Sequence, residues 1–170
     1  MHSKKAYTRK IGKMCLICSF NQERKFKMKI FVCLDEKNGM TFNKRRQSSD
    51  RVVRANMLQM VADGILYTNT YTAKQFVEEN TVLVVDDNCL ELAKEQDYVF
   101  IENIKVSEYL SKIEQIIVYR WKRNYPADCF FDVDLLSEEW ELSLSEEFEG
   151  YSHECIGKEI YTKKYLDPNA

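Results

Sequence analysis

The chain has 170 residues, 45% of them hydrophobic and 12% aromatic, which is enough to bury the core of one domain and excludes a disordered chain. No apolar run approaches the roughly 20 residues that cross a bilayer. Charge is unevenly divided: residues 1–27 hold eight of the 25 Lys and Arg and one of the 27 acids, so the remainder carries a net −9, which argues against a general phosphate-backbone binder.

The basic segment 1–27 begins as a secretory leader would, but its apolar patch is very short and no small-residue cleavage site follows. It reads as a disordered extension, with Met28 as a candidate start, and a cytoplasmic location is expected. Cys15 and Cys18 form a CxxC without a second pair at zinc spacing, and only His2 and His153 are available to help, so no metal site is expected. Cys33, Cys89, Cys129 and Cys155 sit in apolar patterns and read as reduced core thiols.

From residue 29 onward, short β-rich runs alternate with short helical ones. "KIFVCL" (29–34) predicts a buried strand. Val53, Met57 and Val61 recur at i, i+4 and i+8, which predicts a helix over 50–64, capped by Ser49 or Asp50 and ended by Gly64. Strands are expected at 65–69 and 81–85, with a short helix between them opened by a capping box from Thr72 to Gln75. Asn88 can cap a helix at "CLELAKE". Further strands are expected at 98–101 and 115–121, separated by a helix at 107–113. The pattern then turns to β alone at 129–131, 139–148 and 154–162, where Trp140, Leu142 and Leu144 alternate with period two. Such a β-α alternation implies a largely parallel sheet with right-handed crossovers, to which the last strands add an antiparallel edge.

Several words in this order belong together: "IFVCLDEKNGM" (30–40), "DCFF" (128–131), "EEW" (138–140), "SEEFEG" (145–150), "SH" (152–153) and "KEIYTKK" (158–164). In that arrangement the chain resembles dihydrofolate reductase over about residues 29–163. The resemblance implies a single α/β domain over 28–170: a mostly parallel sheet flanked by helices, with a C-terminal antiparallel hairpin. It also implies a proton-delivering carboxylate at Asp50, where shielding from water can raise a carboxyl pKa. The competing reading is that Asp50 only caps the helix that follows.

Against the same pattern the cofactor positions are eroded. The Pro-Trp of the family's opening loop is replaced in "MTFNKRR" (40–46), where Phe42 can supply an apolar wall and Arg45 and Arg46 an anion contact. Where the family has Gly-Arg and Thr to grip phosphate, this chain has Thr68, Asn69, Thr70 and Tyr71. Where it has a Gly-Gly pair beside the pyrophosphate, this chain has Glu102 and Asn103, and a carboxylate there repels phosphate. Tyr119 stands in place of the Thr that supports the pterin.

These departures favour a module that binds a small anion or nucleotide, or an interaction partner, over an enzyme. No cofactor is then expected, and NADPH enters only under the alternative of a divergent reductase for a folate or pteridine-like substrate. The partner is an anionic small molecule or a protein, with no membrane and no nucleic acid. Arg45 and Arg46 are expected at the mouth of the cleft, dispensable for stability, with Asp50 on its floor. "WKRNYPAD" (121–128) either joins Lys44, Arg45, Arg46, Arg51 and Arg54 in one basic surface or is an unrelated solvated loop. A third reading is a metal-dependent ribonuclease using Asp86, Asp87, Asp132 and Asp134, which otherwise serve as turn residues. A His-rich zinc hydrolase is excluded by two histidines, and no Ser-His-Asp or Cys-His arrangement is identifiable; His153 and Cys155 are expected on one strand face without a third group to orient them.

Overall fold

The computed structural model describes residues 27–76 and 83–164. The extension at 1–26 with its CxxC, the end of the expected helix at 77–79 and the start of the strand at 81–82 lie outside the described residues. The elements run β1 (Met28–Leu34), β2 (Gly39–Phe42), β3 (Arg45–Arg46), α1 (Arg51–Val61), β4 (Leu66–Thr68), α2 (Thr70–Ala73), β5 (Leu83–Val85), α3 (Cys89–Leu92), β6 (Tyr98–Ile101), β7 (Ile113–Arg120), β8 (Cys129–Phe130), β9 (Trp140–Phe148) and β10 (Ile156–Lys163).

Seven strands form one sheet in the order β5-β4-β6-β1-β7-β10-β9. The pairs from β5 through β7 are parallel, and β10 joins β7 and β9 antiparallel. The expected architecture, α/β with a mostly parallel sheet and a C-terminal antiparallel hairpin, is therefore present, with fewer and shorter helices than the pattern implied. The central strand β1 reads as an unbroken apolar run because both its faces are covered. One side packs Met28, Ile30, Val32 and Leu34 with Ile116, Val118 and Trp140. The other packs Phe31 and Cys33 against Val53, Met57 and Val61 of α1, the three positions picked out by helical spacing.

Several local expectations are corrected. Helix α1 stops at Val61, because Ala62 turns to φ 49° and its amide bonds to the Leu58 carbonyl. Gly64 has no positive φ; it is needed because a Cβ there would lie 2.9 Å from the Val61 carbonyl oxygen. The cap of α2 is Asn69, whose side chain accepts from the Thr72 amide, so the capping box at Thr72 does not form. Asn88 precedes α3 without a side-chain capping bond. Residues Ser107–Lys112 form a 3₁₀ turn, and Ile113 already belongs to β7.

The expected opening loop is a hairpin. Asn43 and Lys44 both have positive φ, 49° and 60°, which is the backbone of a two-residue turn whose twist matches its strands. Thr41 pairs with Arg46 and Phe42 with Arg45, and β8 adds a third strand to this small second sheet. On β9, the register shifts opposite Ile160 and Tyr161, and both Leu142 and Leu144 stay exposed while Trp140 is buried.

Candidate functional site

The chemistry-bearing side chains gather at the carboxyl ends of the parallel strands, where open α/β sheets present their binding crevices. Three features are built there.

The first is a pocket of about 480 Å³ lined by Phe42, Asn43, Arg45, Arg46, Gln47, Tyr125 and Pro126. Its two walls are the β2–β3 hairpin and the segment following β7. They are tied together by Asp35, whose carboxylate accepts from the amides of Lys37, Gly39 and Tyr125 and from Gln47 Nε2, at 2.7 to 3.2 Å. Burial alone would raise the Asp35 pKa, but these donors outweigh it and hold the group ionised. Asp128 completes the tie by accepting from the Asn43 amide at 2.8 Å. The hairpin and the "WKRNYPAD" segment thus meet in one pocket, to which the segment contributes Tyr125 and Pro126 and none of its basic side chains. Their charges are only partly available: Lys122 pairs with Glu147 at 2.8 Å and Arg51 lies over the Tyr151 ring at 3.5 Å. Arg45 and Lys44 have no ion pair among the described residues. Phe42, 43% exposed, presents an open ring face.

The second feature separates Arg46 from Arg45. Arg46 turns inward and makes a two-pronged contact with Glu102: Nε donates to Oε1 at 3.0 Å and Nη2 to Oε2 at 3.1 Å. Nη2 also donates to the Tyr71 carbonyl at 3.2 Å, and the guanidinium lies over the Tyr71 ring. Glu102 is only 4% exposed. Burial pushes its carboxyl above the usual range, and the Arg46 charge pulls it part of the way back. Thr72 Oγ1 and Gln75 Nε2 lie buried near Glu102 without reaching good hydrogen-bond geometry, so they act on it only as nearby dipoles. Around this pair the other expected cofactor positions are also engaged internally. Asn69 Nδ2 donates to Asn103 Oδ1 at 2.8 Å, and the Thr70 amide donates to Asp87 Oδ1 at 3.0 Å. Tyr119 is fully buried beside Phe31 and Phe148, with its hydroxyl donating to Asn56 Oδ1 at 2.7 Å.

The third feature is Asp50. It is the N-cap of α1 and is 3% exposed, but it does not line the pocket; its carboxylate faces the β9–β10 connection. Oδ1 accepts from the amides of Val52 and Tyr151, and Oδ2 from the Ser152 amide, the Ser152 hydroxyl and His153 Nδ1. Burial works to raise its pKa, but the Tyr151, Ser152 and Val52 amides and the His153 ring prevail and hold it well below the usual carboxylate range. The capping reading of Asp50 therefore describes its geometry, and the raised pKa that proton delivery requires is not found. Gly150 makes this approach possible, since a Cβ there would lie 2.7 Å from Asp50 Oδ2.

His153 lies outside β10, so it shares no strand face with Cys155. Its ring stacks on Trp121, with centroids 4.7 Å apart, and its Nε2 lies 3.0 Å from Ser48 Oγ. A Ser-His-Asp line is thus present where none was identified. The words that carry it, "SSD" and "YSH", lie about a hundred residues apart in the chain, so no local spacing could reveal it.

The acids considered for a metal are each committed to backbone. Asp86 accepts from Asn88, Asp87 from Thr70, Asp132 from Val106 and Ser107, and Asp134 from Leu136. Among the described residues no three His, Cys, Asp or Glu side chains gather as a metal would need. No helix among them is long and apolar enough to cross a membrane. The chain matches no protein-family model and no curated protein.

Proposed function

We propose that this is a dihydrofolate-reductase-like domain without reductase activity that binds a small anion with a flat ring, of the nucleotide kind, between the β2–β3 hairpin and the segment after β7. The observation that carries the reading is the single pocket that joins Phe42 and Arg45 with Tyr125 and Pro126. The Arg45 guanidinium, without a carboxylate partner among the described residues, can bond two oxygens of a phosphate or carboxylate, and an exposed aromatic face suits a stacked ring. The mostly parallel sheet closed by an antiparallel hairpin agrees with the family resemblance.

The reductase alternative draws less support. Glu102, Asn69 and Asn103, the positions that the resemblance assigns to a pyrophosphate, are engaged in the Arg46–Glu102 pair and the Asn69–Asn103 bond, and Asp50 is a saturated acceptor. Tyr119 fills the place expected to support a pterin. The nuclease reading has its four acids spent on turns and caps.

Calorimetric titration with AMP, of the wild type and of Arg45→Ala, tests the proposal. Binding by the wild type that weakens about tenfold or more in the variant is expected, the worth of one charged hydrogen bond. Equal binding by both proteins would reject Arg45 as the anion contact, and no binding by either would reject AMP-like anions as ligands.

A further inference from the structure

We infer that Ser48 is an activated nucleophile, served by His153 as general base and oriented by Asp50, and that it can accept an acyl or phosphonyl group from an activated ester. The geometry has the two links such a site requires: Ser48 Oγ lies 3.0 Å from His153 Nε2, and His153 Nδ1 lies 3.2 Å from Asp50 Oδ2. Asp50 accepts at Nδ1, so that nitrogen carries the proton and Nε2 presents its lone pair to the Ser48 hydroxyl. Ser152 adds a second tie, its Oγ lying 3.0 Å from Asp50 Oδ2 and 3.1 Å from His153 Nδ1.

The ring cannot readily swing away. One face stacks on Trp121 with the planes 23° apart, and the His153 side chain is 5% exposed. Asp50 is fixed by three backbone amides besides. Ser48 stands outermost: it is half-buried, whereas His153 and Asp50 are buried. A nucleophile at the surface with its base and orienting acid beneath is the order that lets a reagent reach the oxygen. Ser48 lies on the short link between β3 and α1, next to Gln47 of the pocket lining, and His153 on the connection before β10.

With an ester, the Ser48 oxygen bonds the carbonyl carbon and its proton passes to His153 Nε2. The carbon–oxygen bond to the leaving alkoxide then breaks, and that alkoxide takes the proton from His153. Water, activated by the same ring, would release the acyl group from Ser48. With a fluorophosphonate, the Ser48 oxygen bonds phosphorus, fluoride leaves, and the hydroxyl proton goes to His153.

The experiment uses the full chain and a fluorophosphonate probe, followed by intact mass and peptide mapping. One equivalent of label on Ser48 is expected in the folded wild type, with none after denaturation in urea. Ser48→Ala should abolish the label, and His153→Gln should slow labelling of Ser48 by about 10²–10⁴-fold, the usual worth of a positioned base. Ser49→Ala, at the exposed neighbouring hydroxyl, should label at the wild-type rate. Parallel thermal melts keep the comparison to folded protein. An initial release of p-nitrophenolate from p-nitrophenyl acetate, stoichiometric with the chain and lost in Ser48→Ala, is the second expected result. An unlabelled wild type, label at Ser152, or equal labelling in Ser48→Ala would each overturn the assignment and leave the three residues as a structural tie.

Discussion

Arg46→Ala removes the partner of a carboxylate that is only 4% exposed. Breaking a buried ion pair from one side typically costs about 3–5 kcal/mol, because the remaining charge keeps its desolvation penalty. Arg46 itself is 24% exposed, so water can partly replace it and the lower end of that range applies, about 3 kcal/mol at neutral pH. For a domain of this size that corresponds to a fall in melting temperature of about 6–12 °C. The loss should depend on pH in a definite direction. The Glu102 pKa is already raised in the folded chain, and Arg46 is the largest influence that lowers it. Without Arg46 the folded-state pKa rises further above its unfolded value. Between those two values the folded state holds more protons than the unfolded one, so the variant loses stability as pH rises. The deficit should be full above the folded pKa and shrink below the unfolded one, near pH 4, to what the Tyr71 contacts contribute. Thermal melts of the wild type, Arg46→Ala and Arg46→Ala/Glu102→Gln, followed by circular dichroism from pH 4 to pH 8, check this. The double variant should recover much of the loss and its pH dependence. A loss under about 1 kcal/mol that is flat with pH would match an exposed pair and contradict a buried one.

Other changes have distinct expected outcomes. Arg45→Ala should change stability by about 1 kcal/mol or less, because that side chain is exposed and has no ion pair among the described residues; urea melts check it. Gly150→Ala should be strongly destabilising, since the new methyl meets Ile156 Cδ1 at 2.5 Å and Asp50 Oδ2 at 2.7 Å. Ala62→Gly should stabilise by about 1 kcal/mol by relieving the positive φ at the end of α1, read as a raised urea midpoint with an unchanged slope. Asp50, whose folded pKa is depressed, contributes stability that is present above about pH 4 and lost on further acidification. An Asp50→Asn variant should therefore show a flatter acid limb in pH-dependent melts.

The sheet was legible because its signals are local or nearly so. The unbroken apolar run at 29–34 marks a strand covered on both faces, and the spacing of Val53, Met57 and Val61 marks the buried side of α1. Of the second sheet only β8 was legible, as the strand expected at 129–131. Strands β2 and β3 are four and two residues long, too short for a period to register, and their turn uses Asn-Lys where Asn-Gly is the usual signal. Among candidate site residues, Phe42, Arg45 and Arg46 do line one pocket. What the chain order hides is the division of labour between adjacent arginines: strand alternation sends Arg46 to Glu102 and leaves Arg45 outside, and the partner lies 56 residues away. Asp50 was legible as a cap because a cap is read from its own helix. Its other four donors come from 151–153, which no pattern near Asp50 announces.

An anion pocket at the hairpin, in place of a cofactor cleft, can be read directly from ¹H–¹⁵N correlation spectra of the labelled chain titrated with AMP and, separately, with NADPH. Saturable shifts confined to Asn43, Arg45, Gln47 and Tyr125 with AMP, and none at Asn69, Thr70, Glu102 and Asn103 with NADPH, are the predicted result. Saturable shifts at the second group with NADPH, or no response of the first group to AMP, would contradict it.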